Sequence, residues 1–359
     1  MQFFRGIIFL SALTIGYVHA VSATDEIVYK QAKELSSKSL RSDLAYKIIE
    51  SLTTEVGQRQ AGSEAEKRAR DWGVAKFTQL GFENVRVEPF EVDYWQRNLE
   101  QAEIISPFPQ KLIITALGGS VATPASGLTG EIVIFPTLQA LKDAPMEGLE
   151  DKIVFVDEFM TRTQDGSGYG VAVQKRSGAA NEAGKRGAAA ALIRSVGTDH
   201  HRFPHTGQMS YEKGLPKIPI AALSAPDADQ LGRAVLLGKV EVKLVIDVET
   251  KGKRQSGNVI GEIPGHTDEI VIIGGHLDSW DLGTGAVDDG AGIGITVGAA
   301  KLILDMNQKP HRTIRVVMFG AEEVGLVGAR AYAKQHKFEI DKHIVGAESD
   351  FGAGKIWSF

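Results

Sequence analysis

Apolar residues recur at helical spacing through Leu40, Leu44, Ile48 and Leu52 and predict a helix over residues 25–52. A turn holding Gly57 and Gly62 follows. Ser63-Glu64-Ala65-Glu66 then has the form of a capping box, with the serine accepting from the helix start and the glutamate reaching back. That helix should run to about Leu80, where Gly81 stops it. Residues 85–92 and 101–106 alternate like strands. The order helix, turn, helix, strand reads as the front of an α/β unit.

The pattern changes near Gly118, where short apolar runs and many glycines take over. Candidate strands lie at 132–135, 153–156, 189–193 and 218–221, with one helix between Val173 and Gly187. Residues 240–248 alternate and would return the chain to the first unit. We read this stretch as an inserted β-rich domain, because long structureless loops are uncommon inside a compact domain. From Ser256 the α/β pattern resumes, with strands at 258–262, 269–273, 313–319 and 343–347 and helices at 290–304 and 324–335. Strands alternating with helices predict a mostly parallel mixed sheet covered by helices. The expected organisation is a signal segment at 1–23, a first part of the α/β domain at 24–117, the insert at 118–252 and a second part at 253–359.

Composition narrows the function classes. The chain has 359 residues, 43% hydrophobic and 24% charged, as in ordinary soluble proteins. A net charge of -5 with no lysine or arginine cluster leaves no footprint for nucleic acid. The absence of cysteine excludes disulfides, thiolate metal sites and a cysteine nucleophile. Any metal would have to be held by His, Asp and Glu, a set that suits zinc, manganese or cobalt. At the N-terminus, a short basic start precedes an apolar run at 6–18 and the small-residue patterns Val18-His19-Ala20 and Val21-Ser22-Ala23. That order is a secretory signal, and the run is short for a membrane span. The mature protein is therefore expected to be secreted or periplasmic, with no membrane span after signal removal.

Four polar clusters fall where predicted strands end or a helix begins: His276 with Asp278, Asp288 with Asp289, Glu322 with Glu323, and Asp350. Each is ordinary alone. His-x-Asp is a common capped turn, Asp-Asp-Gly is a common turn, and Glu-Glu suits the positive end of a helix. Their placement at successive strand ends is not ordinary, because open α/β sheets bind ligands there. The other histidines compete poorly. His200 and His201 read as a solvated loop, His205 as a structural contact, and His266, His311, His336 and His343 as surface residues. No Gly-x-Ser-x-Gly nucleophile elbow appears.

With these residues in hand, Gly275-His276-Leu277-Asp278-Ser279-Trp280, Gly285-Ala286-Val287-Asp288-Asp289-Gly290, Ala321-Glu322-Glu323 and Glu348-Ser349-Asp350 resemble the zinc aminopeptidase and glutamate carboxypeptidase family. The likeness extends through Ala191-Leu192-Ile193-Arg194-Ser195-Val196, Pro204-His205-Thr206-Gly207 and Gly214-Leu215-Pro216-Lys217-Ile218-Pro219, where the insert resembles a protease-associated domain. It implies a zinc exopeptidase-like fold and two zinc ions per catalytic domain. His276 and Asp350 would bind one metal, Glu323 the second, and Asp288 both. Glu322 would be the general base, and Asp278 would hydrogen-bond the other ring nitrogen of His276. The implied substrate is a short peptide or dipeptide, and a homodimer is compatible with the pattern. A non-catalytic peptide-binding protein on the same fold, or a zinc hydrolase of a non-peptide amide, are the alternatives.

One feature of the family is missing from this sequence. The second metal's own histidine normally follows the last aspartate motif, whereas this chain ends at Phe359, nine residues past Asp350. The expectation is a fragment or truncated product. Its second metal would keep only Asp288 and Glu323, and the chain as written would be nearly inactive and poorly soluble.

Overall fold

The computed structural model describes residues 23–306, 308–350 and 352–356. The signal-like stretch at 1–22 lies outside them. The chain divides into two compact units at Ser42/Asp43. The first contributes helix α1 (Ala23–Ser39). All other elements belong to the second.

A single helix over 25–52 does not form. α1 stops at Ser39, and α2 (Leu44–Glu55) starts anew after Asp43. Ser39 turns its hydroxyl back to the Ser36 carbonyl at 2.8 Å, a local bond that competes with helix propagation. Asp43 pairs with Lys47 at 2.7 Å across the first turn of α2. Helix α3 (Glu64–Leu80) starts and stops as its sequence predicts. Ser63 accepts from the Glu66 N–H, and Gly81 takes the left-handed conformation. The reciprocal half of the capping box differs. The Ser63 N–H bonds the Gln60 carbonyl, while the buried Glu66 carboxylate accepts from Ser256 at 3.0 Å and pairs with Arg70 at 3.1 Å.

The chain then forms β1 (Glu83–Ser106), β2 (Gln110–Leu112), β3 (Ile114–Ala116) and β4 (Leu128–Phe135). Next come α4 (Leu138–Lys142), β5 (Ile153–Val156), α5 (Ser167–Ala172), α6 (Lys175–Lys185), β6 (Ala190–Arg194), β7 (Ile220–Leu223) and α7 (Ala225–Val235). The last elements are β8 (Glu241–Ile263), β9 (Ile270–His276), α8 (Gly290–Leu304), β10 (Thr313–Phe319), α9 (Val327–Gln335) and β11 (His343–Glu348). The strand order is β11-β9-β10-β8-β4-β5-β6-β7-β3, with β1 paired to β8.

Two parallel blocks share this sheet. β11, β9 and β10 form one, and β4 to β7 the other. A long antiparallel ribbon of β1 and β8 joins them. Residues 118–252 are therefore α/β, with helices α4 to α7 set among strands β4 to β7, and not the β-rich segment expected. The reason is visible in the strands: Ile153-Val154-Phe155-Val156 is buried throughout, so both faces need cover. One face packs Ile153, Phe155 and Leu192 with α7 residues such as Leu231, and the other packs Val154 and Ile193 with α6 alanines 179, 180 and 183. In the other block, Val259, Val316 and Met318 pack beneath Ile48 and Leu52 of α2, Phe77 of α3 and Ile293 and Val297 of α8.

Candidate active site

The parallel register brings three strand ends to one level. His276 of β9 lies opposite Phe319 of β10, so Gly320 to Glu323 emerge beside it. Glu348 of β11 lies opposite Gly274, and the Ser349 N–H still bonds the Gly274 carbonyl at 2.9 Å, which delivers Asp350 next. The start of α8 closes the group. Asp289 caps it by accepting from the Gly292 N–H at 2.9 Å, and its other oxygen accepts from the His276 N–H at 3.0 Å. This close approach depends on glycine. A Cβ on Gly275 would fall 2.5 Å from the Asp289 carboxylate, and one on Gly292 would fall 1.7 Å from the Ser349 carbonyl oxygen.

His276 is buried at the centre. Its Nε2 lies 2.9 Å from Asp288 Oδ1, 3.6 Å from Asp350 and 3.9 Å from Glu322. Its Nδ1 lies 2.9 Å from the main-chain carbonyl of Asp278. The Asp278 carboxylate is 3.8 Å away and is used otherwise, accepting from the main-chain N–H groups of Glu322 at 2.9 Å and Glu323 at 3.3 Å. Asp278 thus holds the imidazole through its carbonyl rather than its carboxylate, and ties the Glu322-Glu323 turn to it. That turn begins at Ala321, a buried non-glycine residue with φ of 55°. Such a conformation persists only where its surroundings enforce it.

The electrostatics are those of crowded carboxylates. Burial pushes Glu322 up to about 7, against the pull of His276. Burial pushes Glu323 up to about 8, and the neighbouring charge of Asp288 adds to the shift. Burial raises Asp289 to about 7. Burial opposes a charge on His276, but its bonds to Asp288 and Asp350 outweigh that and push it up to about 12. Its two ring nitrogens face the Asp288 carboxylate and the Asp278 carbonyl. A cation bound where these side chains meet would balance the crowded carboxylates. One ligand atom each from His276, Asp288 and Asp350 lies within 4.8 Å of the others. The nitrogen and oxygen donors therefore fit a zinc-class ion.

Several residues of this site escape sequence reasoning. Arg59 is fully buried and gives its guanidinium to the carbonyls of Leu277, Gly57, Thr284 and Gly285. Burial lowers it to about 10, while Asp278, Asp289, Asp288 and Glu323 favour its charge. It clamps the 277–285 loop without pairing directly with a carboxylate. No periodicity marks it; it sits in the stretch between Gly57 and Gly62 that reads only as a turn. Trp280 donates its indole N–H to Glu323 at 2.6 Å and lies against Gly118, where a Cβ would fall 2.1 Å from the ring. Arg97 pairs with Asp281 and reaches Thr206 at 3.2 Å. The only other His, Asp or Glu cluster with three ligand atoms this close, among the described residues, is Asp199, His201 and His205.

A mixed α/β sheet with a histidine and carboxylates gathered at its strand ends defines a class: α/β proteins with a candidate metal centre at the carboxyl edge of the sheet. Comparison with known proteins supplies the family. The model of peptidase family M28 matches residues 258–353. Bovine carboxypeptidase Q is 37% identical over 311 residues, 86% of this chain and 64% of the bovine protein, so the chain spans 64% of that relative's length. The Xenopus laevis carboxypeptidase Q is 35% identical over 90% of this chain and 68% of its own length. The crystal structure of a peptidase M28 precursor from Shewanella amazonensis is 53% identical, with a TM-score of 0.91 over 93% of this chain and 76% of that one. A zinc aminopeptidase from Bacillus subtilis, 23% identical with a TM-score of 0.64, shares the fold. The chain belongs to peptidase family M28.

Proposed function

We propose that the protein is an exported di-zinc metallo-exopeptidase acting on short peptides, dipeptides among them. The observation that carries this reading is the convergence on His276 Nε2 of Asp288, Asp350 and Glu322, all within 3.9 Å. Relatives named carboxypeptidase Q and zinc aminopeptidase support peptide substrates and zinc without choosing an end of the peptide. His276 and Asp350 would hold one ion and Glu323 the other, with Asp288 shared between them. Two ions bound there would polarise the scissile carbonyl and acidify the attacking water.

The chain's own residues supply the rest. Glu322 stands at the same centre without serving as a ligand in this assignment. It takes the proton from the attacking water and passes it to the departing amine, a shuttle that suits a carboxylate standing free beside the ions. Asp278 fixes both partners, orienting His276 through its carbonyl and the glutamate turn through its carboxylate. Trp280 orients Glu323 through its indole N–H. Residues 118–252 correspond in this reading to a protease-associated domain that walls the site, and residues 1–23 to the export signal.

The test is dipeptide hydrolysis by the zinc-loaded protein, carried in a chain completed with the second metal's histidine, with Glu322→Gln. We expect turnover to fall by about 10²–10⁴ with zinc content unchanged. Turnover that survives the substitution would remove Glu322 from the role. Two tightly held zinc ions in the purified protein would favour the enzyme, and none would favour a non-catalytic binding protein.

A further inference from the structure

We propose that Asp199, His201 and His205 form a separate metal site, for a zinc-class divalent cation, on the loop that follows β6. The inference does not depend on the proposed peptidase activity. It rests first on geometry. Asp199 directs its two carboxylate oxygens at two different rings, Oδ2 to His205 Nε2 at 2.7 Å and Oδ1 to His201 Nε2 at 3.2 Å. These are donor atoms that a metal would take, and all three lie within 4.8 Å of one another. The three residues are exposed, so an ion reaches them from solvent without any opening of the fold.

The surroundings hold this arrangement in place. The Ser195 hydroxyl accepts from the His205 main-chain N–H at 2.8 Å, which anchors the loop to the end of β6. Gly197 leaves room for the pair, since a Cβ there would fall 2.9 Å from Asp199 Oδ2 and 3.0 Å from His205 Nε2. Neighbouring polar groups turn elsewhere: His200 to Asp229 at 2.8 Å, and Arg202 to Asp227 at 3.0 Å. Among the described residues, no lysine or arginine pairs with Asp199; its ion partners are the two histidines. Two imidazole nitrogens and one carboxylate suit zinc, cobalt or nickel, and three protein ligands leave a position for water.

Such a site would act on the loop beyond it. Thr206 and Gly207 follow immediately. The Thr206 carbonyl accepts from Arg176 at 2.6 Å, its hydroxyl meets Arg97, and the Gly207 carbonyl accepts from Gly118, which backs Trp280. A cation closing residues 199–205 would therefore steady a segment that borders the wall around Glu323.

The experiment loads the protein with excess zinc, removes free metal by desalting, and measures zinc per chain and hydrogen exchange. Wild type should retain one more zinc than His201→Gln/His205→Gln, and zinc should slow exchange across residues 196–207 in wild type alone. The single change His201→Gln alters an exposed ring whose ion partner is Asp199, and should weaken zinc at this site at least about tenfold. A cobalt(II) titration should show an absorbing component that the variants lack. Equal zinc content in wild type and folded variants, with exchange in the loop indifferent to zinc, would overturn the proposal.

Discussion

At the residue scale, the centre turns on side chains that do double service. Asp278 offers a carbonyl to one partner and a carboxylate to two others. Asp289 caps α8 and holds His276 through its main chain. The Arg59 guanidinium bonds carbonyls alone, four of them from the loops on either side of it. Arg59→Met should therefore destabilise the fold by about 1–3 kcal/mol, read from urea unfolding, because the buried Leu277 carbonyl loses its side-chain donor. The residues gathered around His276 are legible in the sequence because His, Asp and Glu are conspicuous at strand ends. Arg59, the Asp278 carbonyl and the left-handed Ala321 are not. Their roles lie in main-chain geometry and in contacts more than two hundred positions apart in the chain.

At the element scale, β10 and α8 run over the residues that their patterns predict, since β-branched alternation and a small-residue helix leave little choice. The β1 and β8 ribbon is legible only in pieces. Polar residues fill its middle, and register shifts between Asp93 and Trp95 and between Arg97 and Leu99 break the period of two. Helix α8 offers a test of why its glycines are there. In an ordinary helix, alanine for glycine stabilises by about 0.5–1 kcal/mol. At Gly298 a Cβ would make ordinary contact with Ala45 at 3.5 Å, so Gly298→Ala should raise stability by about that amount. At Gly292 the same change would collide with the Ser349 carbonyl, so Gly292→Ala should lower stability and loosen the placement of Asp350. Paired thermal melts of the two variants check both signs.

At the scale of the whole molecule, the site couples stability to pH and metal. Asp289 and Glu322 sit at about 7 and Glu323 at about 8, all above the ordinary carboxylate range, and His276 is held up at about 12. Groups raised in this way favour the fold while protonated. Their contribution is complete below the unfolded values and is lost as pH rises through the folded ones. The metal-free protein should therefore lose stability as pH rises from about 5 to about 9. Metal replaces those protons, so zinc should raise the melting temperature by more degrees at the upper end of that range than at the lower. A zinc-induced shift that is larger at acid pH would contradict the electrostatic account.

The central claim is the division of labour between metal ligands and general base. Zinc bound per chain tests it most directly, measured in a His201→Gln/His205→Gln background so that only the centre at His276 is counted. The account predicts that Glu322→Gln keeps the zinc of its parent, while His276→Ala loses the ion it shares with Asp350 and Asp288→Asn weakens both. Zinc content unchanged in the His276 variant, or lost from the Glu322 variant, would contradict it.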